Sequence, residues 1–268
     1  MDDLRLAILG AGKMGGALLR GWLRQGVVPP HRVAVHNRRP ESTDAIASET
    51  GARACATPVD AVDGANVLLV AVKPHLVAAV LTEIGDSLAP DCLVLSVAAG
   101  VTIAALEAAL PPGTPVLRAM PNTPALIGAA ATGFCPGTHA TAAHAALATA
   151  LFSAVGVVAG VTEPQLDAVI GVSGSGVAYF YLIIEALTDG GVRAGLPRDT
   201  ARLFAAQTAL GAARMILETG EHPAALKDAV TTPGGTTIAA LEVLETAGTR
   251  GTLIKAVLAA RDRAREMA

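Results

Sequence analysis

The sequence predicts an α/β fold: a doubly wound parallel sheet in the first half, followed by an all-helical second domain. Three observations carry this. Short apolar runs rich in β-branched residues alternate with helical stretches as far as Val158. A glycine-rich turn follows the first of those runs directly. Beyond Thr162 the β-rich runs vanish and apolar residues recur every three or four positions, the period of a helix face.

The expected strands are Arg5–Leu9, Arg32–His36, Val67–Ala71, Leu93–Val97 and Val116–Met120, with weaker ones near Thr132–Cys135 and Val155–Val158. Helices are expected between them. Gly15–Gln25 is closed by Gly26, Glu41–Thr50 by Gly51, and Ile103–Leu110 by Pro111-Pro112. The Ala-rich stretch 140–150 is an ordinary helix. Thr162-Glu163-Pro164-Gln165 has the spacing of a capping box, so a helix opens there and divides the chain into domains 1–161 and 162–268. In the second domain Leu203, Ala206, Leu210, Ala213 and Leu217 share one helix face, and Leu253, Val257, Ala260 and Ala264 another.

Hydrophobic residues make up 52% of the 268 and charged residues 16%, which excludes a disordered chain. Aromatics are only 3%, so the core is built from Ala, Val, Leu and Ile, and close helix packing with burial between subunits is expected. A net charge of −3 with no basic stripe argues against nucleic acid as a partner. The start, Met1-Asp2-Asp3-Leu4-Arg5, lacks a secretion pattern, and the apolar run Val67–Val72, stopped by Lys73-Pro74-His75, is too short to span a bilayer. A soluble, cytoplasmic protein without membrane partners is the expectation. Cys55, Cys92 and Cys135 form no Cys-x-x-Cys pair and fit small buried hydrophobes. No metal spacing and no nucleophile-base arrangement is evident, and His222 beside Pro223 fits a turn.

Chemistry concentrates in a few motifs. Gly10-Ala11-Gly12-Lys13-Met14-Gly15 opens a helix behind the first strand, where Gly10 allows the turn, Gly12 admits a pyrophosphate and Gly15 lets helix meet strand. The end of the second strand reads His36-Asn37-Arg38-Arg39 where an NAD site carries an acid; two guanidiniums and an amide suit a 2′-phosphate. NADPH is therefore the expected cofactor, with NADH second. Ala71-Val72-Lys73-Pro74 and Val97-Ala98-Ala99 end central strands at the edge where such sheets bind ligands, and Met120-Pro121-Asn122-Thr123-Pro124 ends another, with Asn122 expected among the cofactor-binding residues. Ser173-Gly174-Ser175-Gly176 interrupts a helical pattern, either for close backbone approach or as a loop at a site. Thr231-Thr232-Pro233-Gly234-Gly235-Thr236-Thr237, ahead of a helix at Ile238–Leu244, has the make-up of an anion cradle for a carboxylate or phosphate.

Taken together these motifs resemble the pyrroline-5-carboxylate reductase family, most specifically through Pro233-Gly234-Gly235-Thr236-Thr237 behind the others, with Gly195-Leu196-Pro197-Arg198 between. The resemblance covers nearly the whole chain. It implies a Rossmann-type N-terminal domain, a helical C-terminal dimerisation domain, and a homodimer or dimer-based ring with active sites at the dimer interface. It implies reduction of the cyclic imine 1-pyrroline-5-carboxylate to L-proline by NADPH. The loop would hold the substrate carboxylate on amides around Gly234, Gly235 and Thr236, with Thr232 and Ser175 adding hydroxyls and the Thr237 hydroxyl facing the imine nitrogen. One departure is Val177, where the family usually has Pro. Competing readings are an imine or hydroxyacid oxidoreductase of related architecture, which usually carries a catalytic Lys or Asp in the helical domain, and a nonenzymatic nucleotide-binding regulator. Lys227 and Lys255 are the only lysines there and lie outside both motifs.

Overall fold

The computed structural model describes residues 3–266. Met1 and Asp2, part of the segment lacking a secretion pattern, and the last two positions of the second expected domain lie outside the described residues. Two compact units emerge: the chain up to Gly174 together with the chain from Ala259 on, and Ser175–Leu258.

The first unit is an eight-stranded sheet of β1 (Leu6–Leu9), β2 (Val33–His36), β3 (Arg53–Ala54), β4 (Val67–Val70), β5 (Leu93–Ser96), β6 (Val116–Met120), β7 (Ala130–Pro136) and β8 (Gly156–Gly160). Their order is β3-β2-β1-β4-β5-β6-β7-β8, so the winding reverses between β1 and β4. Strands β1 to β6 are parallel, as expected, but β7 runs antiparallel to β6 and β8 parallel to β7. The link between β6 and β7, residues 121–129, is shorter than the dozen or so residues a parallel crossover needs, so the chain can only turn back. Two-residue β3 was not expected: no alternation can show in so short a segment.

Helices α1 (Lys13–Arg24), α2 (Pro40–Thr50), α3 (Pro58–Val62), α4 (Val77–Ile84), α5 (Ile103–Ala108) and α6 (Ala142–Ser153) cover the sheet. Period-two alternation sends Leu6 and Ile8 into one core with Trp22 and Phe152, and Ala7 and Leu9 into another with Leu81 and Ile84. Trp22 is fully buried and donates its indole N–H to the Leu151 carbonyl at 2.7 Å, so its one polar atom is satisfied.

Helix α7 (Glu163–Val169) opens as the capping spacing predicts, with Gln165 Oε1 accepting from the Thr162 N–H at 2.8 Å. The change of period at Thr162 and the division of the units do not coincide. Helix α7 stays with the first unit: Leu166 is buried and Asp167 pairs with Arg118 of β6 and with Arg265. It then widens into a π turn, Ile170–Gly174.

The second unit holds α8 (Gly176–Arg193), α9 (Arg198–Thr219), α10 (Pro223–Ala229), α11 (Thr236–Thr246) and the first part of α12 (Thr249–Glu266). Helices α8 and α9 pack closely where a Cβ on Gly191 would stand 3.0 Å from the Ala201 Cβ, and Arg198 bridges to Asp189 at 2.7 Å. Few of its side chains are buried. The expected apolar face of α9 is continuous but bare: Leu203 is 63% and Leu217 71% exposed.

Candidate active site

The turn between β1 and α1 is fixed by backbone contacts that only glycine permits. Gly10 has φ +94°, and a Cβ there would stand 2.6 Å from the Ala71 carbonyl carbon and the Val72 nitrogen. A Cβ on Gly15 would stand 2.5 Å from the Gly10 carbonyl oxygen. Gly12 differs: a Cβ there would have no neighbour within 4 Å. Packing explains the first and third glycines, while the second keeps a space open. Gly12 also caps α1 without a side chain, and no acid sits in the first turn, so the N–H groups at Lys13 and Met14 face outward as donors at a positive helix end.

At the end of β2 the Asn37 N–H donates to Thr43 Oγ1 at 2.9 Å, and that hydroxyl donates to the Asn37 carbonyl at 3.3 Å. Among the described residues the Asn37 side-chain nitrogen is buried without a partner, a costly arrangement that calls for an acceptor. Arg38 and Arg39 are exposed at the N-terminus of α2, and a cavity of about 320 Å³ opens beside Asn37, Arg38, Thr43, Ala54 and Cys55. The sequence does not single out Thr43, whose bond to Asn37 forms once α2 folds back on the end of β2, nor Ala54 and Cys55, which come beside Asn37 only once β2 and β3 pair.

The ends of β4 and β5 lie along the same edge. The Ala71 N–H donates to the Leu9 carbonyl at 2.8 Å and the Val97 N–H to the Val70 carbonyl at 3.0 Å. Ala71 and Val72 are half-buried, Lys73 and Pro74 exposed, Val97 and Ala98 buried, and Ala99 half-buried. Asn122 is buried past the end of β6, with its Nδ2 donating to the Ser173 carbonyl at 3.1 Å and its Oδ1 accepting from the Ala131 N–H at 2.9 Å.

In the second unit the glycine-threonine segment forms a turn into a helix that starts earlier than expected. Gly234 has φ +65°, and a Cβ on Gly235 would collide with Thr232 Oγ1. Thr236 and Thr237 are the first two residues of α11, capped only by the Gly235 backbone, so their N–H groups have no intrahelical acceptor. Thr231 spends its hydroxyl on the Lys227 carbonyl at 2.7 Å; Thr232 is exposed and Thr237 half-buried. The Ser173-Gly174-Ser175-Gly176 segment is no loop. It completes the π turn and opens α8, with Ser175 at the cap position.

No thiol is poised as a nucleophile: burial raises Cys55 and Cys135 and pushes Cys92 up to about 12. Among the described residues, no three His, Cys, Asp or Glu side chains gather as a metal site.

A mostly parallel sheet whose winding reverses, a glycine turn with one open position and a buried amide beside two exposed arginines define a dinucleotide-binding protein of the oxidoreductase kind. The comparisons carry this further. Residues 5–100 match the model described as NADP oxidoreductase, coenzyme F420-dependent, and residues 163–267 that described as pyrroline-5-carboxylate reductase dimerisation. The chain is 41% identical to the pyrroline-5-carboxylate reductase of Methanosarcina acetivorans, over 100% of this chain and 99% of that one. Among solved structures, the Coxiella burnetii pyrroline-5-carboxylate reductase superposes with TM-score 0.92 at 37% identity, covering 99% of each chain. The Plasmodium falciparum pyrroline carboxylate reductase, solved with NADP bound, gives 0.90 at 27% identity over 100% and 99%. The chain belongs to the pyrroline-5-carboxylate reductase family.

Proposed function

We propose that this chain reduces 1-pyrroline-5-carboxylate to L-proline with NADPH, and that two copies pair through the helical segment to make the working assembly. The observation that carries the cofactor half is the contrast among the three glycines of the β1–α1 turn, because Gly12, unlike Gly10 and Gly15, leaves open the space a pyrophosphate fills. In this reading Gly10, Gly12, Lys13, Met14 and Gly15 hold the pyrophosphate, while Asn37, Arg38 and Arg39 take the 2′-phosphate. Ala71, Val72, Lys73, Pro74, Val97, Ala98 and Ala99 line the rest of the cofactor path. When bound, NADPH supplies the hydride for the C=N carbon.

The chain's own work is positional. Backbone N–H groups at the start of α11 receive the substrate carboxylate, with Thr232 and Ser175 as auxiliary hydroxyls. The Thr237 hydroxyl hydrogen-bonds at the imine nitrogen; it orients that atom and is too weak an acid to protonate it alone, so the proton comes from water, taken up beforehand or relayed through that hydroxyl. Hydride transfer requires donor and acceptor carbons at about 3–3.5 Å, so most of the rate comes from holding the imine still.

The test is cofactor oxidation with and without 1-pyrroline-5-carboxylate, with proline identified as product. Substrate-dependent oxidation is expected, and its absence overturns the reading. Thr237→Ala should lower turnover about 100-fold, the scale of one hydrogen bond to a charged group, and leave NADPH binding intact. Unchanged turnover removes Thr237 from the chemistry.

A further inference from the structure

Helix α7 is clamped to the sheet at three places along its length. At its start, Glu163 Oε1 accepts from Arg118 Nη1 at 3.0 Å and from the Ile103 N–H at 2.7 Å. At its last residue, Val169 lies so close to β7 that a Cβ on Gly133 would stand 2.9 Å from Val169 Cγ2. Past its end, in the π turn, the Ser173 carbonyl is held by Asn122 Nδ2 at 3.1 Å.

Asn122 is 7% exposed, and its partners fix which way the amide points: the Ala131 N–H requires an oxygen and the Ser173 carbonyl requires a nitrogen. Both side-chain polar atoms are thus engaged by main chain. The residue sits beyond the C-terminus of β6, which runs parallel to β1, β4 and β5, so it lies at the edge that carries the Gly10–Gly12 turn. A π turn is a single weak point in an otherwise regular helix, and one directional bond from a buried amide decides where its carbonyls go.

We infer that Asn122 is a positioning residue for imine reduction: it acts through the Ser173 carbonyl, holding the Ser173–Gly174 turn at the cofactor edge, and does not itself touch the cofactor. Its kinetic half rests on the reductase reading; the latch itself does not.

Asn122→Asp keeps the oxygen that faces Ala131 and sets a second oxygen against the Ser173 carbonyl. Loss of that buried donor should lower kcat for the imine about tenfold and raise its KM, speed amide hydrogen exchange across residues 171–176 about tenfold, and leave the NADPH Kd within about twofold. An NADPH Kd weakened about tenfold overturns the inference, since Asn122 would then contact the cofactor. Unchanged exchange shows the latch idle, and faster exchange with unchanged kinetics shows a brace without a positioning role; either overturns it. Should the wild type not turn over 1-pyrroline-5-carboxylate, the reductase reading fails, and exchange in the variant still decides the latch. If Asn122→Asp does not fold, Asn122→Ser, neutral and smaller, carries the same readings.

Discussion

Gly10 and Gly12 look alike in sequence and serve different ends. Gly10 combines φ +94° with backbone atoms at 2.6 Å, so Gly10→Ala should cost about 2–4 kcal/mol from strain and overpacking, seen as a lower denaturant midpoint. Gly12→Ala meets nothing in the protein and should cost less than about 1 kcal/mol as an N-cap change, while weakening NADPH at least about tenfold. A Gly12→Ala protein that binds NADPH as the wild type does would mean the pyrophosphate lies elsewhere. The arginines allow a sharper test. Arg38 and Arg39 are exposed and lie beside an Asn37 amide with no acceptor, the donor set that a phosphate completes. Replacing both with Ala should weaken NADPH by about 3 kcal/mol, the low end for two charge-assisted bonds from exposed side chains, and NADH hardly at all. Equal losses for both cofactors, measured by fluorescence titration, would show that these side chains do not read the 2′-phosphate.

At the scale of elements, α7 shows how a helix is docked. A methyl on Gly133 would meet Val169 at 2.9 Å, so Gly133→Ala should destabilise the first unit by about 1–3 kcal/mol and lift the helix from β7. Adding Val169→Ala makes room for that methyl, and the double variant should recover part of the loss; independent, additive losses in urea melts would show that the two residues do not share this contact. The same region marks what the sequence could tell. Strands β1, β2, β4, β5 and β6 were legible because buried parallel strands are continuous apolar runs ended by turn residues. The glycine turn and the Gly234-Gly235 turn were legible because backbone shape dictates the residue. The reversal at β7, the π turn and the Asn122–Ser173 bond were not, because each is settled by partners 9 to 51 positions away that no local pattern encodes. Arg118 reads locally as a stray charge in a strand; only Glu163 and Asp167, brought over by α7, explain how it is 3% exposed.

At the scale of the whole molecule, the second unit leaves apolar surface that water does not favour. Phe180 is 61%, Val243 68% and Leu217 71% exposed, and the helical run Glu163–Arg193 is long and apolar enough, at a mean hydropathy of 1.5, to cross a bilayer. That run is far longer than the apolar Val67–Val72 stretch, which is too short to span a bilayer. Two occupants fit such a surface, lipid or protein, and polar decoration distinguishes them. Glu185 and Asp189 project from α8, and Asp189 is already paired with Arg198, a cost in hydrocarbon that a protein interface with a wet rim avoids. The match of residues 163–267 to a dimerisation module points the same way. Leu203→Asp with Leu210→Asp places two charges on the bare α9 face, and each charge buried without a partner costs several kcal/mol. The wild type should sediment as a dimer or a multiple of one and stay in the supernatant with phospholipid vesicles. The double variant should sediment as a monomer, retain NADPH binding and lose imine turnover. A wild type that floats with vesicles, or a variant that still dimerises and turns over, would mean that α9 is not where the second copy sits.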